Sequence, residues 1–100
     1  MLTEKDYCDY ETSIALEKLG YPLPPFLPKA LLYEAQKWLR EEKGIEIVVL
    51  SKGMIGSPYY YQVYTEDYVV DDNEEYSFYE EALSEGVCKA IEILKILKEG

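Results

Sequence analysis

Nine carboxylates lie between Glu66 and Glu85, with no Lys or Arg among them. Acidic side chains at this density are the type that binds hard cations, works in pairs in acid and base catalysis, or recognises a basic partner. Backbone phosphates need nearby cations, so the run excludes phosphate binding in this segment. Protein recognition and plain solvation remain as the two interpretations.

A calcium site is the first chemistry to test, because segment 71–75 is the densest part of the run. An EF-hand loop needs alternating ligands, glycine at its sixth position and glutamate at its twelfth. Tyr76 occupies the sixth position counted from Asp71, so the pattern fails. We expect a solvated loop without a structural metal, a weak adventitious cation site being the alternative. Four of its carboxylates are candidates for a partner surface: Asp71, Asp72, Glu74 and Glu75.

Few residues are available for catalysis, because the chain has no histidine. Nucleophiles activated by histidine and zinc sites built on histidine are therefore excluded. Cys8 and Cys88 lack CxxC spacing, and we expect two free thiols, with a bridge as the alternative. Paired carboxylates need a cleft that a domain of 100 residues rarely builds. We expect neither enzymatic activity nor a cofactor.

Tyrosines dominate a predicted strand over Tyr59–Thr65. Alternation places Tyr60, Gln62 and Tyr64 on one face of this strand. Stacking of nucleic-acid bases on such a stripe requires a positive groove, and the nearest cation in sequence is Lys52. We therefore expect cross-strand packing and no nucleic acid. The apolar candidates for a partner surface are Tyr60 and Tyr64 together with Met54 and Ile55 in the preceding loop.

The first two helices follow from capping residues and apolar spacing. A helix from about Tyr10 to Leu19 has Asp9 as its cap and Gly20 as its left-handed exit. Its expected buried positions are Ile14, Ala15 and Leu19. The second helix runs from about Pro28 to Lys43, with Pro28 as its first residue. Its apolar stripe is Leu31, Ala35, Trp38 and Leu39, so we expect Trp38 to be a core residue.

Strands and a final helix complete the prediction. Ile45–Leu50 and Tyr59–Thr65 are the clear strands, and Tyr68–Val70 is left open as a third. Ser77 and Glu80 have the spacing of a capping box for a helix that continues to about Lys98. The centre of its apolar arc is Leu83, Val87, Ala90, Leu94 and Leu97. Ile96 and Cys88 fall outside the arc, where they are scattered exposed residues or a dimer contact.

The elements predict a single α+β domain spanning residues 1–100, with a small two- or three-stranded antiparallel sheet packed on helices in the order α-α-β-β-(β)-α. The net charge of −10 disfavours binding to nucleic acid and to anionic lipid. Lys89, Glu92 and Lys95 interrupt the most hydrophobic segment, which argues against a membrane span. The acidic start is followed by no apolar run, so we expect no secretory signal and a cytoplasmic protein.

Three features together resemble a family of small uncharacterised proteins of bacterial phages and mobile elements. They are the Gly20-Tyr21 helix exit, the segment Glu34-Ala35-Gln36-Lys37-Trp38-Leu39-Arg40-Glu41 followed by Gly44-Ile45, and Ser77-Phe78-Tyr79-Glu80-Glu81-Ala82-Leu83. These features span most of the chain. Each is a packing or capping signature, so the resemblance implies a genomic setting and assigns no residue a role.

The function expected from the sequence is that of a non-enzymatic accessory protein acting through protein contacts, as a monomer or a weak homodimer. The alternative is an inhibitor whose carboxylates imitate nucleic-acid phosphates on a basic partner. A small enzyme is the third and least favoured class. The sequence leaves the identity of the partner open.

Overall fold

The computed structural model describes residues 4–23, 25, 29–53, 58–71 and 74–99. Three helices, α1 (Tyr10–Lys18), α2 (Leu32–Lys43) and α3 (Tyr79–Glu99), combine with strands β1 (Glu46–Ser51), β2 (Tyr59–Tyr64) and β3 (Val69–Asp71). The order is α-α-β-β-β-α, preceded by a short 3-10 turn at Glu4–Asp6. The predicted α+β fold is confirmed, and Val69–Asp71 forms the third strand that the sequence left open.

The sheet is antiparallel, with β2 between β1 and β3. Val63 is the central residue of the register, opposite Ile47 on one side and Val70 on the other. Tyr61 and Val63 are buried together with Ile47, so one face of the sheet forms the core. Helix α3 packs on this face. No helix of the described chain is long and apolar enough to cross a membrane.

Gly86 brings the backbone of α3 close to the sheet. A Cβ added at this position would lie 2.6 Å from Ile47 Cγ2 and 3.5 Å from the ring of Tyr61. Real Cβ atoms do not approach a carbon so closely, because interiors are already packed to the density of organic crystals. The absence of a side chain at Gly86 therefore permits the close approach of α3 to the sheet.

Helix α1 begins and ends as predicted, but it buries a different face. Asp9 Oδ1 accepts a hydrogen bond of 2.7 Å from the Thr12 backbone N–H, and Gly20 has a φ of 109°. The buried residues are Thr12, Ser13 and Leu16, whereas the predicted set, Ile14, Ala15 and Leu19, is half-buried. Ser13 tolerates burial because its hydroxyl accepts from the Ala30 N–H at 2.9 Å.

Helix α2 begins four residues later than predicted, at Leu32. The chain before it is extended, since the Cys8 N–H donates to the Ala30 carbonyl at 2.7 Å and Tyr7 pairs with Leu31. Pro28 lies outside the described residues. Gly44 ends the helix with a φ of 68°, as predicted.

Trp38 is half-buried and packs against the core without being enclosed in it, so the predicted core position is confirmed only in part. The fully buried residues of α2 are Leu32, Ala35 and Leu39, which span about two turns, and the last two were predicted. Tyr21 meets the Trp38 ring edge-on, with 5.5 Å between the ring centroids. Lys43 Nζ stands 5.4 Å from the centroid of the same ring. Tyr21, Lys43 and the core therefore border the indole, and part of it stays in contact with solvent.

Helix α3 begins at Tyr79, within the predicted range of Phe78. The Ala82 N–H donates to the Phe78 carbonyl at 3.2 Å, which makes Phe78 the capping position. Ser77 is exposed, and its side chain makes no hydrogen bond to any part of the chain described, so the predicted capping box is wrong. Leu83 and Val87 are fully buried as predicted, whereas Leu97 is 59% exposed because the last turns extend past the core.

Candidate functional site

The second face of the sheet carries apolar side chains that no described helix covers. Since side chains alternate along a strand, Val48 and Leu50 point away from buried Ile47. The buried core includes Ile47, Tyr61 and Val63 and excludes the alternate residues Val48, Leu50 and Tyr60. We call this surface the open face: Glu46, Val48, Leu50, Tyr60, Gln62, Tyr64, Val69 and Asp71.

Cross-strand register brings the apolar residues of the open face together. Leu50 is opposite Tyr60 on the neighbouring strand, and Tyr64 is opposite Val69. Tyr64 is 38% exposed and Val69 is 51% exposed. Val48, Leu50 and Tyr60 are half-buried. The pairs Leu50–Tyr60 and Tyr64–Val69 form neighbouring apolar patches on one face of the sheet, in contrast to isolated surface residues.

A polar strip crosses the open face at its middle. The Tyr64 hydroxyl donates to Gln62 Oε1 at 2.7 Å. The amide of Gln62 in turn donates to Asp71 Oδ2 on β3 at 3.1 Å. The two bonds fix the orientation of the Gln62 amide, so the strip is held in place before any ligand arrives.

Lys52 connects the end of β1 to the acidic loop. Its Nζ lies 3.3 Å from Glu75 Oε2 and 5.5 Å from the centroid of the Tyr60 ring. Both members of the ion pair remain substantially exposed, so the pair adds only about 0–1 kcal/mol to stability. Segment 66–85 contains no Lys or Arg of its own, but a lysine 23 residues before Glu75 reaches its carboxylate.

Arg40 and Glu46 form the matching pair at the other end of β1. Arg40 Nη1 lies 3.6 Å from Glu46 Oε2, which is close enough for an ion pair and too far for a hydrogen bond. Glu46 Oε2 itself is buried, with no hydrogen-bond partner among the residues described. The open face is thus bordered at each end of β1 by a cation that already has a carboxylate partner.

The structure brings together some of the predicted surface residues. Tyr60, Tyr64 and Asp71 share the open face, and Glu75 joins it through Lys52. Glu74 is exposed in the adjacent loop. Met54, Ile55 and Asp72 lie outside the described residues. The candidate set from the sequence lacked three apolar members of the surface, Val48, Leu50 and Val69, and the polar residues Glu46 and Gln62. The available signal was that β1 is apolar at alternate positions of both faces.

The two cysteines are free thiols, as predicted, and neither is activated. Burial, followed by the nearby charges of Cys88 and Asp9, raises the pKa of Cys8 to about 12. Burial also raises the pKa of Cys88, whose Sγ lies 3.4 Å from Thr12 Oγ1. Since the thiolate is the nucleophilic form, both side chains are poor nucleophiles at neutral pH.

Other surfaces of the described chain offer less chemistry. A cavity of about 300 Å³ lies beside Trp38 and is also lined by Tyr21, Lys37 and Glu34. Lys43 already stands over the indole ring there. Within the described ranges, no three acidic or cysteine side chains converge to hold a metal ion.

The open face has a mixed composition. It combines apolar side chains with a fixed amide and carboxylates, and it contains no thiol or lysine nucleophile within its own set. Such a composition is suited to binding. No protein-family model, curated protein or solved structure matches the chain.

Proposed function

We propose that the protein is a non-enzymatic binding module that docks a protein partner on the open face of its sheet. The observation that carries the proposal is the placement of Val48, Leu50 and Tyr60 on the face opposite the core. A sheet with one solvated face ordinarily alternates apolar and polar residues along each strand. Here β1 carries apolar side chains on both faces. Such a strand is suited to a sheet whose second face is covered by a partner.

The biological setting in the proposal is that of an accessory protein of a phage or mobile element, acting in the cytoplasm. Its support is the resemblance of segments 34–41 and 77–83 to the proteins of such elements. The net charge of −10 opposes close association of two copies, which supports a monomer or a weak homodimer.

An acidic inhibitor that imitates nucleic acid is the second candidate function. It is favoured by the exposure of Glu66, Asp67, Asp71 and Glu74, which lie on or next to the open face. Imitation of phosphates would make binding depend steeply on salt, whereas apolar docking would not. Retention of the partner at about 0.05 M and about 0.5 M sodium chloride therefore separates the two functions.

A pair of matched substitutions tests the open face. Val69→Glu places a carboxylate on it, and Ile96→Glu places one on α3, at side chains that are 51% and 61% exposed. The immobilised full chain and both variants are incubated with an extract of the encoding organism, and bound proteins are identified by mass spectrometry. We expect a partner that the wild type and Ile96→Glu retain and Val69→Glu loses. A partner retained equally by all three, or none at all, would overturn the proposal.

A further inference from the structure

We propose that docking exchanges Lys52 for a Lys or Arg side chain of the partner, so that the segment contacting the open face is basic. The inference rests on the proposed function and adds the chemistry of the partner to it. The incoming cation would take the carboxylate of Glu75 and the ring face of Tyr60, the two groups that Lys52 contacts.

Lys52 of the protein itself occupies the position that a cation of the partner would take. A single ammonium group pairs with a carboxylate and stands beside an aromatic ring, two interactions that proteins commonly use to hold a cation. The side chains of Lys52 and Glu75 are 40% and 54% exposed, so a partner can reach both. Exposed ion pairs contribute little, and replacing one with another therefore costs little.

Charge complementarity identifies the occupant. Asp71 lies on the open face, Glu74 lies in the loop that follows it, and Glu66 and Asp67 lie in the turn between β2 and β3; all four carboxylates are exposed. Lys52 and Arg40, at the two ends of β1, are each paired with a carboxylate. The surface thus repels a nucleic acid and a second copy of this chain, and it attracts a basic protein segment with apolar residues.

The probe is a library of random short peptides displayed on yeast, selected for binding to the folded full chain. The affinities of the enriched peptides are then measured for the wild type and for variants by fluorescence anisotropy. Lys52→Ala removes the internal cation. Lys89→Ala is the matched control, because Lys89 makes an ion pair of the same length, 3.3 Å, with Glu92 on α3. Both variants change the net charge equally.

We expect the enriched peptides to be rich in Lys and Arg and to bind Lys52→Ala about two- to fivefold more tightly than wild type, the factor that corresponds to an exposed ion pair. Glu75→Gln should weaken binding, and Lys89→Ala should leave it near the wild-type value. Unchanged thermal unfolding of the variants shows that their fold is intact.

Three outcomes would overturn the exchange. They are enriched peptides without excess positive charge, equal effects of Lys52→Ala and Lys89→Ala, and a dimer of the chain that Val69→Glu dissociates. In the first two cases, loss of peptide binding in Val69→Glu would still support docking on the open face. Peptide binding that Val69→Glu leaves unchanged would instead remove the proposed function itself.

Discussion

Gly86 of α3 and Ile47 of β1 lie so close that a methyl group on Gly86 would stand 2.6 Å from Ile47 Cγ2. Alanine is the better helix former by about 1 kcal/mol, whereas overpacking a core costs about 1–3 kcal/mol. Because the obstructing atom belongs to a fully enclosed side chain, we expect overpacking to dominate. Gly86→Ala should lower the free energy of unfolding, measured by urea denaturation, by about 1–2 kcal/mol.

The control for this substitution is Glu85→Ala, which adds no atom and lies at an exposed neighbouring position of α3. Its effect should stay within about 0.5 kcal/mol. Combining Gly86→Ala with Ile47→Ala should cost less than the sum of the two, since the second removes the obstructing atom. A Gly86→Ala variant more stable than wild type would contradict the close approach.

Asp9 should be the strongest capping residue of the chain. Asp9→Ala removes the acceptor of the Thr12 N–H and should cost about 1 kcal/mol in the free energy of unfolding. Ser77→Ala is the matched control, because Ser77 caps nothing and its loss should cost less than about 0.5 kcal/mol. Equal losses at the two positions would restore the capping box at Ser77.

The contribution of Asp9 should depend on pH. Its hydrogen bonds with Thr12 lower the pKa of the Asp9 carboxyl from the ordinary value of 3.8. A lowered folded-state pKa means that the stabilisation is complete above the unfolded value and is lost as pH falls through the folded one. The difference in stability between wild type and Asp9→Ala should therefore be constant at neutral pH and shrink below about pH 4. A difference that grows on acidification would contradict this assignment.

The thiols should react slowly and in a fixed order. Burial raises the pKa of Cys8 to about 12 and also raises the pKa of Cys88, so little thiolate forms at pH 8. Iodoacetamide followed by mass spectrometry of the native protein should modify half-buried Cys88 before buried Cys8. Both should react readily in denaturant. Rapid modification of Cys8 in the native state would show that its enclosure is wrong.

Sodium chloride should raise the melting temperature of the isolated protein. The exposed carboxylates Glu66, Asp67, Asp71 and Glu74 repel one another, and salt screens exposed charges beyond a Debye length of about 10 Å at 0.1 M. Calcium at the same ionic strength should produce the same increase, because among the described residues no group of carboxylates is arranged to hold a metal. An increase specific to calcium would instead indicate binding by mass action.

Sequence reasoning succeeded where the decisive interaction is local. The Asp9 cap and the Gly20 and Gly44 helix exits involve neighbours along the chain, and alternation along β1 and β2 placed Tyr60 with Tyr64. It failed where the burial or the partner of a residue depends on a segment that is distant in sequence. The hydroxyl of buried Ser13 accepts a hydrogen bond from Ala30, 17 residues later. Lys52 forms an ion pair with Glu75, 23 residues later.

The start of α2 and the composition of the open face illustrate the same limit. Pairing of Tyr7 with Leu31 holds the chain extended at a point where proline and apolar spacing favour a helix. Val48 and Leu50 belong to an apolar run whose two faces look alike until the helices cover one of them. Tertiary contacts thus decided both the boundary and the surface.

Ile47 also shows why the face of the sheet is more accessible than the edge formed by β1. Gln36 Nε2 of α2 donates to the Ile47 carbonyl at 2.8 Å, which occupies a backbone acceptor on the free side of β1. A strand added there would have to displace a side chain already bonded in its place, and uncontrolled growth of the sheet by strand addition is opposed in the same way. Gln36 thus makes the protein less prone to form intermolecular β-structure while leaving the broad apolar surface open.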